Sequence, residues 1–233
     1  MAAFFITGSG TDIGKTYLTA GLLAHWRGQG LSPWALKPVV SGFDEADPAG
    51  SDPAILLAAL GRAVTPKALD ALAPFRFRAP LSPDHAAALE GRDLTLAAAV
   101  EACRRAMDQA AGPVLIEGAG GVMSPLNAHE TMLDLIVAVG APVVFVAGDY
   151  LGAISHALTG LTALKARGAA IAAIVVNESG QGSVGLEQTA ASLTRQWRSG
   201  SILTVPRSAG PWTWAQISTA LSVCPPEGAE RPA

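Results

Sequence analysis

The chain has 233 residues, half of them apolar, and a net charge of −3 at neutral pH, which suits one large α/β core and argues against nucleic-acid binding, since phosphate backbones are held by clustered Lys and Arg. Apolar stretches such as Ile171–Val176 fall far short of the ~20 residues that cross a bilayer, and the start of the chain lacks the plan of a secretion signal. Cys103 and Cys224 stand in no disulfide or zinc spacing, so the expectation is a cytoplasmic protein with no membrane anchor that holds small anions.

The first element is a strand over 2–7, followed by Gly8-Ser-Gly-Thr-Asp-Ile-Gly14-Lys15-Thr16 and a helix over 15–28. Strand, glycine-rich turn and helix in that order make a phosphate cradle. Successive backbone N–H groups can point at one anion, and the helix adds roughly half a positive charge at its start. Lys15 is placed to reach the β- and γ-phosphates and the Thr16 hydroxyl to ligate Mg²⁺. The motif G-x-x-x-x-G-K-[ST] asks for glycine where Ser9 stands, so this is a variant P-loop.

A second strand over 33–40 ends in Lys37-Pro-Val-Val-Ser41-Gly42, at the sheet edge where ligands collect in open α/β folds. A helix over 52–60 follows, and Ser51 or Asp52 can cap it, or Asp52 can hold a metal. Residues 61–94 carry Pro66, Pro74, Pro80 and Pro83 and interrupt the alternation, as do 118–131, rich in Gly, Pro and Asn. Both read as loops that cover a substrate. Between them lie a helix over 95–111, with Cys103 as a packing residue, and a strand over 113–117. Glu117 ends that strand before Gly118-Ala119-Gly120-Gly121. A carboxylate there can hold Mg²⁺, and the glycines let phosphate approach the backbone.

Strands over 142–147, 171–177 and 201–205 alternate with helices over 152–167 and 183–198. Asn177 ends the first of the last two strands, where its amide suits either a turn or the edge of adenine. Alternation of this kind, with several wholly apolar strands, predicts an α/β domain: a mostly parallel sheet with helices on both faces. One domain over 1–223 and a mobile tail over 224–233 are expected.

Taken together, Thr7-Gly8-x-Gly10-Thr11-x-x-Gly14-Lys15-Thr16, Lys37-Pro38-Val39-x-Ser41-Gly42, Glu117-Gly-Ala-Gly-Gly121 and Leu151-Gly152-x-Ile154-x-His156 resemble the dethiobiotin synthetase family, from about residue 2 to 206. The resemblance implies a P-loop NTPase fold and an ATP- and Mg²⁺-dependent homodimer. Such an enzyme closes a ureido ring on the diamino acid 7,8-diaminononanoate with CO₂, in biotin biosynthesis. It puts Lys37 and Lys15 in catalytic positions, Thr16, Asp52 and Glu117 at the metal, and Ser41, Lys37, Leu151 and Gly152 at the substrate. Thr11, Asp12, Ile13, Gly14, Lys15, Thr16 and Tyr17, then Glu117, Gly118, Ala119 and Gly120, with Asn177 and Pro206, would line the nucleotide. Ser155 stands where the family often has asparagine, and residues after Pro206 do not follow its pattern. Two other classes share the P-loop: regulatory ATPases of the partitioning or septum-positioning kind, and other ATP-dependent cofactor ligases. The first usually shows a second lysine in the P-loop, where this chain has Gly10.

Overall fold

The computed structural model describes residues 2–179 and 184–223. Cys224, the expected tail over 224–233 and the first residue of the expected helix over 183–198 lie outside them. Six parallel strands form the main sheet: β1 (Ala3–Gly8), β2 (Trp34–Leu36), β5 (Val114–Glu117), β6 (Val143–Ala147), β7 (Ile171–Asn177) and β8 (Ile202–Val205). Their spatial order is β2-β5-β1-β6-β7-β8.

Side chains alternate across each strand, and both faces are covered. Phe5, Val114, Ile116, Val143, Phe145, Ile174 and Val176 pack on one side, against α5 (Leu96–Gln109), α6 (Met132–Val139), α7 (Ala153–Ala166) and α8 (Leu186–Gln196). Phe4, Ile6, Leu115, Val144, Val146, Ala173 and Val175 pack on the other, against α1 (Lys15–Gly28), α2 (Asp52–Ala59) and α9 (Pro211–Ala220). Double coverage is why these strands read as apolar runs without polar alternation. No helix among the described residues is long and apolar enough to cross a membrane.

The expected strand over 33–40 is two strands. β2 stops at Leu36, and β3 (Val39–Ser41) leaves the main sheet to pair in parallel with β4 (Phe75–Phe77). Lys37 turns its N–H away to the Leu72 carbonyl at 2.8 Å, and Pro38 has no N–H to continue a ladder. The segment over 61–94 also differs from the loop expected of it. Besides β4 it holds α3 (Pro66–Leu72) and α4 (Pro83–Leu89), and Pro66 and Pro83 stand in the first turns of those helices. There a missing N–H costs nothing. Helices α6 and α9 answer to no expected element.

Candidate active site

Register brings the charged residues together. Leu36 pairs with Ile116 and Ile6 with Glu117, so Lys37 and Glu117 leave neighbouring strands side by side, next to the turn that follows β1. That turn is shaped by close approach. A side chain at Gly8 would come within 2.3 Å of the Val146 carbonyl, and Gly14, at φ 85°, within 2.4 Å of the Asn177 amide. Gly14 caps the start of α1, so the N–H groups of the first helical turn face the cradle.

Five polar side chains meet at this edge. Lys37 is 5 % exposed and Glu117 fully buried. The Lys37 ammonium donates to Glu117 Oε1 at 2.6 Å and also to Asp52 Oδ2. The Thr16 hydroxyl donates to the same Glu117 oxygen at 2.6 Å, while Glu117 Oε2 is buried with no hydrogen-bond partner. Ser51 caps α2 by accepting from the Ala54 N–H at 3.3 Å. Asp52 is therefore free of the capping task and turns to Lys37.

Burial works to lower the Lys37 pKa, but Glu117 and Asp52 together more than offset it and hold the ammonium above the ordinary lysine range. Burial likewise works to raise Asp52, and Lys37 overrules it, leaving that carboxyl below the usual range. Lys15 has no carboxylate in contact. Its ammonium donates to the Gly10 carbonyl at 2.6 Å, and burial, only partly offset by the charge of Glu117, lowers its pKa to about 8.

Beside the cradle lies a pocket of about 240 Å³ lined in part by Asp12, Tyr17, Asn177, Ser179 and Arg207. The Asn177 amide donates both hydrogens to the chain, to the Ile13 carbonyl at 3.0 Å and the Gly14 carbonyl at 2.9 Å. Its oxygen is buried and unpartnered. Tyr17 closes the other wall: its hydroxyl lies 3.3 Å from the Pro206 carbonyl and 2.9 Å from the Arg207 carbonyl, and accepts from the Ala209 N–H at 3.2 Å.

Residues 2–207 match the AAA domain family. The ATP-dependent dethiobiotin synthetase BioD of Caulobacter sp. (strain K31) is 53 % identical over 194 residues, 83 % of each chain. That of Caulobacter vibrioides (strain NA1000 / CB15N) is 50 % identical over 213 residues, 91 % of this chain and 95 % of the relative. The protein of the same name from Phenylobacterium zucineum (strain HLK1) is 43 % identical over 221 residues, 94 % of each. The chain belongs to the dethiobiotin synthetase family. Its fold is more widely shared. The hydrogenase maturation factor HypB of Archaeoglobus fulgidus superposes with a TM-score of 0.55 at 14 % identity, over 95 % of this chain and 90 % of that one. The MinC:MinD cell division protein complex of Aquifex aeolicus gives 0.52 at 12 %, over 97 % and 87 %.

Within this dethiobiotin synthetase scaffold, Lys15, Thr16, Lys37, Asp52 and Glu117 are brought together, and Asp12, Ile13, Gly14, Tyr17 and Asn177 line the adjoining pocket. The run over 118–121 lies flat on the P-loop: a side chain at Gly121 would come within 3.2 Å of the Gly10 nitrogen, and one at Gly120 would strike Ser124 at 2.1 Å. Thr11 lies beside Gly120. Ser41 sits in the small second sheet, its hydroxyl buried and unpartnered. Leu151 and Gly152 stand apart in solvent at the start of α7, Leu151 being 83 % exposed. Sequence reasoning missed Arg207, Glu178 and Ser179 at the pocket wall. Their one signal was position, just past the ends of β7 and β8.

Proposed function

We propose that this protein carboxylates 7,8-diaminononanoate with CO₂ and closes the ureido ring of dethiobiotin at the cost of ATP, which leaves as ADP and phosphate. The observation that carries this reading is the buried Lys37 ammonium set beside the P-loop lysine. In three steps, one substrate amine captures CO₂ as a carbamate with loss of a proton. A carbamate oxygen takes the γ-phosphoryl group and releases ADP. The second amine then attacks the carbamoyl carbon, and phosphate leaves.

Charge is the obstacle. A carbamate ~4 Å from a phosphate oxygen is repelled by about 4 kcal/mol per pair of unit charges at an effective dielectric near 20. Lys15 holds the phosphates, and Lys37, kept protonated by its two carboxylates, neutralises the two anions at their junction and gains strength as charge spreads in the transition state. No side-chain nucleophile is needed, because the substrate's own amines attack once they are held in place.

The donor set suits Mg²⁺. Thr16, Asp52 and Glu117 offer hard oxygens, Glu117 Oε2 is buried without a partner, and no cage of three His, Cys, Asp or Glu gathers among the described residues. An ion that keeps waters and binds substrate phosphates asks for no more. When bound it would draw negative charge off the phosphoryl group. Asn177, with its acceptor oxygen free, fits the exocyclic amine of adenine, and Pro206 and Tyr17 fit the walls around the base. Gly118 and Ala119 complete the nucleotide lining. Ser41, Leu151 and Gly152 would serve the substrate, the last two across a homodimer interface. Leu151 and Met123, 83 % and 55 % exposed, supply apolar surface for such a contact.

The test is to incubate the protein with ATP, Mg²⁺, bicarbonate and the diamine. Diamine-dependent ADP and a ureido product are expected. ADP release that ignores the diamine, with no ring formed, would refute the proposal.

A further inference from the structure

A second concave site lies at the far end of the molecule. Helices α1 and α2 begin at the P-loop cluster and run away from it, and α1, with 14 residues, carries the chain ~20 Å. At their carboxyl ends, bounded by α3, α5 and the start of β2, is a groove of about 830 Å³. That lies within the ~300–1,000 Å³ range of small-molecule sites.

Its charge is at odds with that of the whole chain. Arg27, Arg62, Lys67 and Arg105 converge on it, against one carboxylate, Asp70. Asp70 pairs at 2.9 Å with Arg76, which Glu45 shares at 2.8 Å, and Arg105 is paired with Glu101. Arg27, Arg62 and Lys67 have no ion-pair partner among the described residues. The carboxyl ends of α1 and α2 offset roughly half a charge each, and Asp70, which shares Arg76 with Glu45, offsets part of another, so roughly one to two positive charges remain uncompensated. The floor is apolar. Trp34 is half-buried there, with the Arg62 guanidinium stacked 4.4 Å from its ring centroid, a geometry that holds the cation in place over an apolar surface.

We propose that this groove binds a small organic dianion, a dicarboxylate or a phosphate monoester with an apolar body. A peptide strand adding to the edge of β2 does not fit. Ala35 is fully buried and the next outward N–H, that of Lys37, is already spent on Leu72. The site is separate from the reacting cluster and needs none of its residues.

The test uses the full chain with its P-loop filled by a non-hydrolysable ATP analogue and Mg²⁺. Suberate and phenyl phosphate are titrated by calorimetry into the wild type, Arg62→Glu and Lys67→Glu, with Arg195→Glu on α8 as a control. At least one probe should bind, each groove substitution should weaken it tenfold or more, and the control should leave it unchanged. Binding of one probe alone identifies the anion class. Both groove side chains are exposed, so the variants should keep the wild-type circular dichroism and analogue affinity. Absence of binding by both probes, or binding that survives both charge reversals, overturns the proposal.

Discussion

Lys37 and Glu117 form a buried ion pair at 2.6 Å across the ends of two adjacent strands, and loss of the Lys37 ammonium would leave the fully buried Glu117 carboxylate with the Thr16 hydroxyl as its one hydrogen-bond donor among the described residues. Lys37→Ala should lower stability by about 3 kcal/mol, the usual cost of stranding one buried charge, as well as abolish turnover. Lys37→Gln keeps an amide donor and should recover part of the stability. It should not recover the rate, because the reaction requires charge: a loss of at least ~100-fold is expected, as for removal of a donor to a developing anion. Urea unfolding and ring-closure assays on both variants separate the two effects. Near-wild-type turnover in either would take Lys37 out of the mechanism.

Glu117→Gln removes one negative charge from the set of oxygens assigned to Mg²⁺ and keeps the shape. Activity should fall, and the Mg²⁺ concentration for half-maximal rate should rise tenfold or more. An unchanged magnesium titration would count against the metal role.

The Lys15 pKa of about 8 gives a pH signature. Burial disfavours its charged form in the free protein, so Lys15 destabilises the native state below about pH 8 and the penalty fades as pH rises toward the unfolded lysine value. A triphosphate restores the proton. Affinity for ATP, measured in EDTA, should therefore be level below about pH 8 and fall by up to tenfold per unit above it, with proton uptake on binding. An affinity level through about pH 9.5 would contradict this.

Tyr17 ties the start of α1 to the loop after β8 through three backbone groups. Tyr17→Phe removes those bonds and leaves the ring against Trp214, 5.6 Å away centroid to centroid. The KM for ATP should rise about threefold to tenfold, with kcat preserved, in keeping with ~1 kcal/mol for partly exposed hydrogen bonds. A fall in kcat without change in KM would assign Tyr17 to the chemistry instead.

Cys103 is buried in α5, and burial pushes its thiol up to about 12. Thiolate is the reactive form, so iodoacetamide should leave Cys103 unmodified in the folded protein at about pH 8 and label it in urea. Mass spectrometry of the Cys103 peptide decides it.

The parallel sheet was legible because its strands are covered on both faces and so carry unbroken apolar runs. The P-loop was legible because its glycines are imposed by backbone contacts, as at Gly8 against Val146. Three features escaped for physical reasons. Pro66 and Pro83 look like breakers yet start helices, where proline loses no hydrogen bond. Helix α6 is apolar on nearly every side and has no exposed residue, so it shows little of the polar face by which a surface helix is recognised. The departure of β3 depends on a pairing with β4 more than thirty residues on, which no local pattern encodes. At the site, the residue types of Lys37, Asp52 and Glu117 could be picked out, but their meeting on a single ammonium follows from strand register. That the Asn177 amide spends both hydrogens on the P-loop carbonyls and leaves its oxygen buried without a partner follows only from the folded structure.

That asparagine has a consequence for how the protein comes into being. The phosphate turn closes within the first sixteen residues, but the amide that grips its two carbonyls arrives 164 and 163 positions later. A growing polypeptide on the ribosome must therefore expose most of its length before it can retain a nucleotide. Stalled nascent chains that stop short of β7 should wash free of ATP, and those that extend beyond it should hold on.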